Sequence, residues 1–265
     1  MPTIPPGPCL SVVVPAYNEE ATIGIILRRL AAVPHLKEVI VVDDCSADQT
    51  CRRVEEAGLP CVRLLRQPKN SGKTAAVRRG LQEVTGDITM IQDADLEYDP
   101  QEIESVIAPI LECRADVVYG SRFLVRRATR VLYFYHYLAN KGLTFFSNLL
   151  TNVNMTDIET CYKAFRTPLI QPLPLTSSRF GMEVEITALV TKTKARIYEV
   201  PISYYGRTYA EGKKISLRDG IAALWYVFYF NLIAPYLRAQ KQYVARANSF
   251  LDQVHSAVLD THAVR

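Results

Sequence analysis

Between residues 10 and 119, short apolar runs alternate with segments of helical period, and that alternation constrains the fold more than any other feature of the sequence. Leu10 to Val14, Val39 to Val42, Cys61 to Leu65, Ile88 to Ile91 and Val117 to Tyr119 are predominantly apolar, broken only by Ser11, Arg63 and Thr89. A strand exposed on one face would alternate apolar and polar residues, so these runs predict strands covered on both faces. Helices are predicted between them, over Glu19 to Val33, Gln49 to Ala57, Ser71 to Val84 and Gln101 to Cys113. Ile23, Ile26, Leu27 and Leu30 mark the apolar face of the first, and Asn18 is placed to cap it. The expected class is therefore α/β, a mostly parallel sheet flanked by helices.

In such sheets ligands bind in the crevice beyond the carboxyl ends of the strands. Polar residues gather at those ends here: Asn18, Asp43 with Asp44, and Asp93 with Asp95. The pair Asp93-Ala94-Asp95 is the sharpest signal. Two carboxylates one residue apart repel unless a cation or solvent separates them. Hard divalent ions take such oxygens, and Glu97 and Asp99 lie nearby. An isolated pair of this kind is usually a solvated acidic turn; its position after the fourth strand favours a cation site. Asp43-Asp44-Cys45-Ser46-Ala47-Asp48 offers carboxylates to a base or ribose, or a helix cap from Ser46 or Asp48. Asn70-Ser71-Gly72-Lys73-Thr74 has the look of a phosphate-binding loop, but that motif needs glycine where Gln67 stands, which disfavours a nucleoside triphosphatase.

The second half has another character. Arg122, Arg126, Arg127 and Arg130 fall within three helical turns and lead into Tyr133, Phe134, Tyr135, Tyr137, Phe145 and Phe146. Cations followed by aromatics predict an interfacial helix beside anionic lipid, over about 126–153. Strand-like pieces follow at Cys161 to Phe165 and Ile197 to Val200, with a helix over Met182 to Thr191 between them. The loop Gly206 to Lys214 holds Arg207, Lys213 and Lys214 between glycines, and suits closure over a diphosphate. Ile221 to Leu237 is interrupted by Asn231 and Pro235 and falls short of the roughly 20 residues of a membrane span; an amphipathic helix over Ala239 to Leu259 follows. Residues 9–205 read as the catalytic domain and 206–265 as a closing loop with C-terminal amphipathic helices.

The net charge of the 265 residues is only +4, and nothing in the pattern points to a nucleic-acid partner. The six cysteines form no CxxC pair and no dense framework, and Met1 to Pro8 has no leader pattern; a reduced, intracellular setting is expected.

Pro15-Ala16-Tyr17-Asn18-Glu19, Asp43-Asp44, Asn70 to Lys73, Asp93-Ala94-Asp95 and Gly120-Ser121-Arg122 together resemble the family 2 glycosyltransferases of GT-A fold. Asp157-Ile158-Glu159-Thr160-Cys161-Tyr162-Lys163 and the loop from Arg207 to Lys214 make the resemblance closest to the dolichyl- and polyprenyl-phosphate hexosyl synthases. It covers about residues 9 to 235. Two departures stand out: Cys45 where glycine is frequent, and Glu97 where some members carry an amide in the metal shell.

The resemblance implies a GDP- or UDP-sugar donor, a lipid-phosphate acceptor, Mg²⁺ or Mn²⁺, inversion at the sugar carbon, and work at the cytoplasmic face of a membrane. Pro15, Tyr17, Glu19 and Asp44 would hold the nucleoside, with Asp43 shaping the turn and Lys73 assisting at the donor. Asp93 and Asp95 would place the cation, Glu97 serving as a third ligand. Arg122 and Arg130 would receive the acceptor phosphate, while Arg207 and Lys213 close over the diphosphate. A lipid monophosphate, with its second pKa near ~6, is largely dianionic at neutral pH and attacks without a dedicated base. A sugar hydroxyl would need one, and Asp157 or Glu159 are then the candidates. A binding module without turnover is the remaining alternative; the intact Asp93 and Asp95 argue against it.

Overall fold

The computed structural model describes residues 4, 7–124, 130, 133–177, 181–207 and 217–262. Seven strands form one sheet: β1 (Leu10–Ala16), β2 (Leu36–Asp43), β3 (Val62–Arg66), β4 (Ile88–Ile91), β5 (Val117–Ser121), β6 (Lys163–Arg166) and β7 (Ile197–Pro201), in the order β3-β2-β1-β4-β6-β5-β7. All neighbours run parallel except β6, which is antiparallel to both β4 and β5.

The helices of the first half are α1 (Ile23–Ala31), α2 (Thr50–Glu56), α3 (Lys73–Leu81) and α4 (Ile103–Leu111). Leu10, Val12, Val13 and Val14 of β1 are all fully buried although their side chains alternate, so both faces of this strand are covered. One cover is α3, which approaches so closely at Gly80 that an added Cβ would lie 2.5 Å from Val13 Cγ1. Any larger residue there would push α3 off the sheet.

The later helices are α5 (Phe134–Thr151), α6 (Thr167–Ile170), α7 (Met182–Val190), α8 (Leu217–Phe228) and α9 (Arg238–His262). α7 is buried along its whole length. α8 continues through a π-helical turn at Tyr229–Ile233 into a short 3₁₀ turn. α5 lies against α8, with the Phe146 and Phe228 rings 5.9 Å apart. The two neighbours leave Phe134, Tyr135, Phe145 and Leu149 of α5, and Ile221 and Trp225 of α8, exposed. α9 turns back 82° from α8 and packs on the domain through Tyr243, Ala247, Leu251 and Val254. Among the described residues no single helix is long and apolar enough to cross a membrane.

Two expectations are corrected. Asn18 does not cap α1: it sits in the left-handed region (φ 55°), and its side chain accepts from Ala47 N–H at 2.9 Å, tying the loop after β1 to the loop after β2. Nor do Arg122 and Arg130 lie on the expected interfacial helix, because α5 begins only at Phe134 and Arg122 lies in the turn after β5. Arg126, Arg127, Lys213 and Lys214 lie outside the described residues.

Candidate active site

Strands β1, β2, β4 and β5 deliver Tyr17 with Glu19, Asp43 with Asp44, Asp93 with Asp95, and Arg122 to the carboxyl edge of the sheet. The loops after β1 and β2 are stitched together. Besides the Asn18–Ala47 bond, Asn18 N–H donates to Ser46 Oγ (2.9 Å), Glu19 N–H to Thr50 Oγ1 (2.8 Å) and Glu20 N–H to Asp48 (3.1 Å). Asp48 also accepts from Thr50 N–H at 2.9 Å in the turn leading into α2, whose N-cap position is held by Gln49 and not by Ser46 or Asp48. Tyr17 is left exposed above this platform, and Pro15 is part of β1 beneath it.

The adjacent aspartates have different duties. Asp43 accepts from Ser46 N–H (3.1 Å) across the turn, while its Oδ1 is buried with no hydrogen-bond partner among the described residues. It lines a cleft of about 580 Å³ with Ser46, Gln49, Arg66 and Gln67. Asp44 anchors the loop after β3. Its carboxylate accepts from Gln67 Nε2 (2.7 Å), Ser71 N–H (2.8 Å) and Gly72 N–H (2.7 Å). The amides that a phosphate-binding loop would aim at a ligand are thus engaged by Asp44, which accounts physically for the failed motif.

That anchored loop starts α3 and presents Lys73. Its ammonium lies 2.8 Å from Asp93 and 3.2 Å from Glu183 of α7. Burial opposes the lysine charge, but Asp93, Cys161 and Glu183 outweigh it and hold its pKa well above the ordinary value. Asp95 contacts Arg207, with Nη2 at 2.7 Å. Even so, burial and the carboxylates of Asp93 and Glu97 push Asp95 up to about 7. Each member of the acidic pair therefore carries a cation of the protein, and the loop still holds excess negative charge. Glu97 is engaged by Tyr204 and Arg207. No cluster of three or more potential ligands is assembled around a common point among the described residues.

Arg122 and Asp157 form a two-pronged ion pair, with Nε to Oδ2 at 2.7 Å and Nη2 to Oδ1 at 2.8 Å. Asp157 is fully buried; burial alone would raise its carboxyl, and Arg122 reverses this and holds it below the usual range. Glu159 behaves oppositely. Burial and neighbouring Glu183 push it up to about 8, and its Oε1 has no partner among the described residues. Arg130 Nη1 donates to the Gly206 carbonyl at 3.0 Å, which sets it beside the Arg207 segment.

The structure thus brings together Asp93, Asp95, Glu97, Lys73 and Arg207, and separately Arg122 with Asp157. Sequence reasoning missed Glu183 and Tyr204. The acidic residue at the start of α7 is a weak signal, since it reads equally well as a favourable charge at a helix N-terminus.

Residues 11–173 match the family model described as glycosyl transferase family 2. A dolichol-phosphate mannosyltransferase of Pyrococcus furiosus is 29% identical over 77% of the chain and 58% of its own length. A dodecaprenyl-phosphate galacturonate synthase of Rhizobium johnstonii is 28% identical over 77% of the chain and 61% of its own length. The chain thus spans less than two thirds of these two relatives. A UDP-N-acetylglucosamine–dolichyl-phosphate N-acetylglucosaminyltransferase of Methanococcus voltae is 27% identical over 79% of the chain and 90% of its length. Among solved structures, glucosyl-3-phosphoglycerate synthase of Mycobacterium tuberculosis, with Mg²⁺ and UDP, superposes with a TM-score of 0.68 at 21% identity, covering 85% of this chain and 80% of that one. That likeness establishes the GT-A fold.

Proposed function

The chain belongs to glycosyl transferase family 2, and from that premise we propose that it moves a hexose from a nucleotide-diphosphate sugar, GDP- or UDP-linked, to a polyprenyl or dolichyl phosphate, with inversion at the sugar carbon. The observation that carries the choice of acceptor is the state of Asp157 and Glu159. A hydroxyl nucleophile needs a carboxylate base. Asp157 is bound on both oxygens by Arg122, while burial and the neighbouring Glu183 carboxylate work against ionisation of Glu159 and push its carboxyl up to about 8. Neither is poised to take a proton. A phosphate dianion needs no base: one of its oxygens attacks the sugar carbon, the bond to the donor diphosphate breaks, and the nucleoside diphosphate leaves with the electron pair.

The nucleoside would lie over Tyr17 and Glu19, with the Asp43 cleft alongside. The diphosphate would meet Lys73, Arg207 and, from the loop beyond it, Lys213. Mg²⁺ or Mn²⁺ fits the hard oxygens of Asp93 and Asp95, a reading supported by the Asp95 carboxyl, which burial and the carboxylates of Asp93 and Glu97 push up to about 7. When bound, such an ion supplies neutralisation of the leaving diphosphate. Arg122 and Arg130 face the acceptor side, Arg130 carrying charge to the edge of the Arg207 segment. The exposed aromatics of α5 and α8 suit a membrane surface where a lipid acceptor resides, and the six unpaired cysteines suit its cytoplasmic face.

The test is product formation from a panel of GDP- and UDP-sugars with undecaprenyl or dolichyl phosphate, for the wild type and Asp95→Asn. Asp95→Asn should retain its circular dichroism and lose transfer by about a hundredfold or more. Near-normal turnover of that variant at saturating metal would sink the assignment. Transfer to a free sugar hydroxyl in place of the lipid phosphate would overturn the acceptor.

A further inference from the structure

Glu97 follows the acidic pair by two residues, yet all of its acceptor groups turn towards a segment more than a hundred residues later. Tyr204 donates its hydroxyl to Oε2 at 2.7 Å. Arg207 donates to Oε1 from both its backbone N–H (3.1 Å) and Nε (3.0 Å), and Tyr205 N–H donates to the Glu97 carbonyl at 2.9 Å. Glu102 repeats the pattern further along, accepting from Ser203 N–H at 2.7 Å and Ser203 Oγ at 2.8 Å. The other end of the Arg207 guanidinium reaches Asp95 at 2.7 Å. On the acceptor side, the Tyr204 ring lies 5.1 Å from the Arg122 guanidinium carbon.

We propose that Glu97 is a positioning residue that clasps the Ser203–Arg207 segment to the acidic loop, setting Arg207 over Asp95 and Tyr204 against Arg122, and is not a third ligand of the cation. This rests on the reading of Asp93, Asp95 and Arg207 as the donor-diphosphate site. A carboxylate has about four acceptor positions. Three of those on Glu97 are occupied, two of them by Arg207. An ion on Oε1 would have to sit beside a guanidinium of like charge. Glutamate suits this duty better than the amide: a planar guanidinium pairs more strongly with a full carboxylate, and an amide offers one oxygen where Glu97 uses two.

The experiment compares wild type, Glu97→Gln, Glu97→Ala and Asp95→Asn by two readouts. In metal-free protein, hydrogen exchange over residues 203–207 should speed up by about tenfold or more in Glu97→Ala and by less in the isosteric Glu97→Gln, with the β1 and β2 amides unchanged. Mn²⁺ affinity, followed by water-proton relaxation, should stay within about threefold of wild type in both Glu97 variants and fall by about tenfold or more in Asp95→Asn. In donor kinetics Glu97→Ala should lose kcat by about tenfold with a smaller change in KM, and Glu97→Gln should recover part of it. Unchanged exchange over 203–207 overturns the clasp, as does a loss of Mn²⁺ affinity in Glu97→Ala equal to that of Asp95→Asn. Failure of the transferase reading appears separately, as absence of product in the wild type, while the exchange result still decides the role of Glu97.

Discussion

His255, near the end of the last helix, places Nε2 2.8 Å from Oδ2 of Asp116, the residue just ahead of β5. The same buried carboxylate accepts from Arg166 Nε (3.1 Å), Arg196 Nε (3.0 Å), Arg196 Nη2 (3.0 Å) and Arg196 N–H (2.9 Å). This knot joins β5, β6, the approach to β7 and α9 at the end of the sheet opposite the site. Burial works against the Asp116 charge, and the Arg196 and His255 bonds overcome it, lowering the carboxyl from 3.8 to about 2. A carboxyl depressed in the folded state stabilises above its unfolded value and ceases to do so as pH falls through the folded one. The expected result is a loss of roughly 2 kcal/mol between about pH 4 and pH 2. Asp116→Asn should be less stable at neutral pH and lose this part of the acid slope. Urea melts across that window measure it, and an unchanged slope in the variant would refute the assignment.

Arg122 and Asp157 act as one unit, and this changes what single substitutions report. Arg122→Met leaves a buried carboxylate without its cation, and Asp157→Leu a buried guanidinium; each should destabilise by about 3 kcal/mol or more. The double variant Arg122→Met with Asp157→Leu removes both charges and should regain a large part of that loss. Chemical melts of the four proteins form the cycle. Additive losses in the double variant would show that the two side chains do not depend on each other.

Strands β1, β2, β4 and β5 were legible because a largely aliphatic run with no polar face has few other solutions in a domain of this size, whereas β3, at the sheet edge with Arg63 and Arg66 exposed, is only half covered. The acidic pair was legible for a related reason: carboxylates directly after a buried strand must end at the sheet's edge. What the sequence hid is long-range. β6 enters antiparallel between β4 and β5, a placement set by tertiary packing and not by any pattern within Lys163–Arg166. Asn18 has the chemistry of a cap, but Ala47, distant in sequence, competes successfully for its oxygen. Arg122 is paired with Asp157, and Glu97 with Tyr204 and Arg207, partners that lie far from them in the sequence. A charge is read from sequence; its partner is not.

Asp44 offers a test of that distinction. With its carboxylate engaged by Gln67, Ser71 and Gly72, it holds the loop that presents Lys73. Asp44→Ala should weaken donor binding by about tenfold through disorder of that loop, with Asp44→Asn in between because one acceptor oxygen survives. Calorimetric titration with GDP and UDP makes the comparison. A loop anchor weakens the two nucleotides by the same factor. A selective loss of one would mean that Asp44 reads the base directly.

Trp225 is the single tryptophan of the chain and is 59% exposed on α8, the helix packed beside α5, on which Phe145 and Leu149 are also exposed. Large apolar side chains concentrated on two adjacent helices are costly in water and gain from a lipid interface, where an indole is at home. Its emission is therefore a direct reporter of docking. Vesicles containing anionic lipid should shift the emission to the blue and raise it, and neutral vesicles should do so less. Added salt should weaken the response, because the basic residues leading into α5 contribute an electrostatic share that is screened within a Debye length of about 8 Å at physiological ionic strength. Phe145→Ser with Leu149→Ser should reduce partitioning by about tenfold while leaving the melting profile nearly unchanged, since both side chains are exposed in the fold. Emission unaffected by vesicles of either kind would show that this face meets something other than lipid. A shift that resists high salt and alkaline extraction would mean that α8 enters the hydrocarbon and does not rest at its surface.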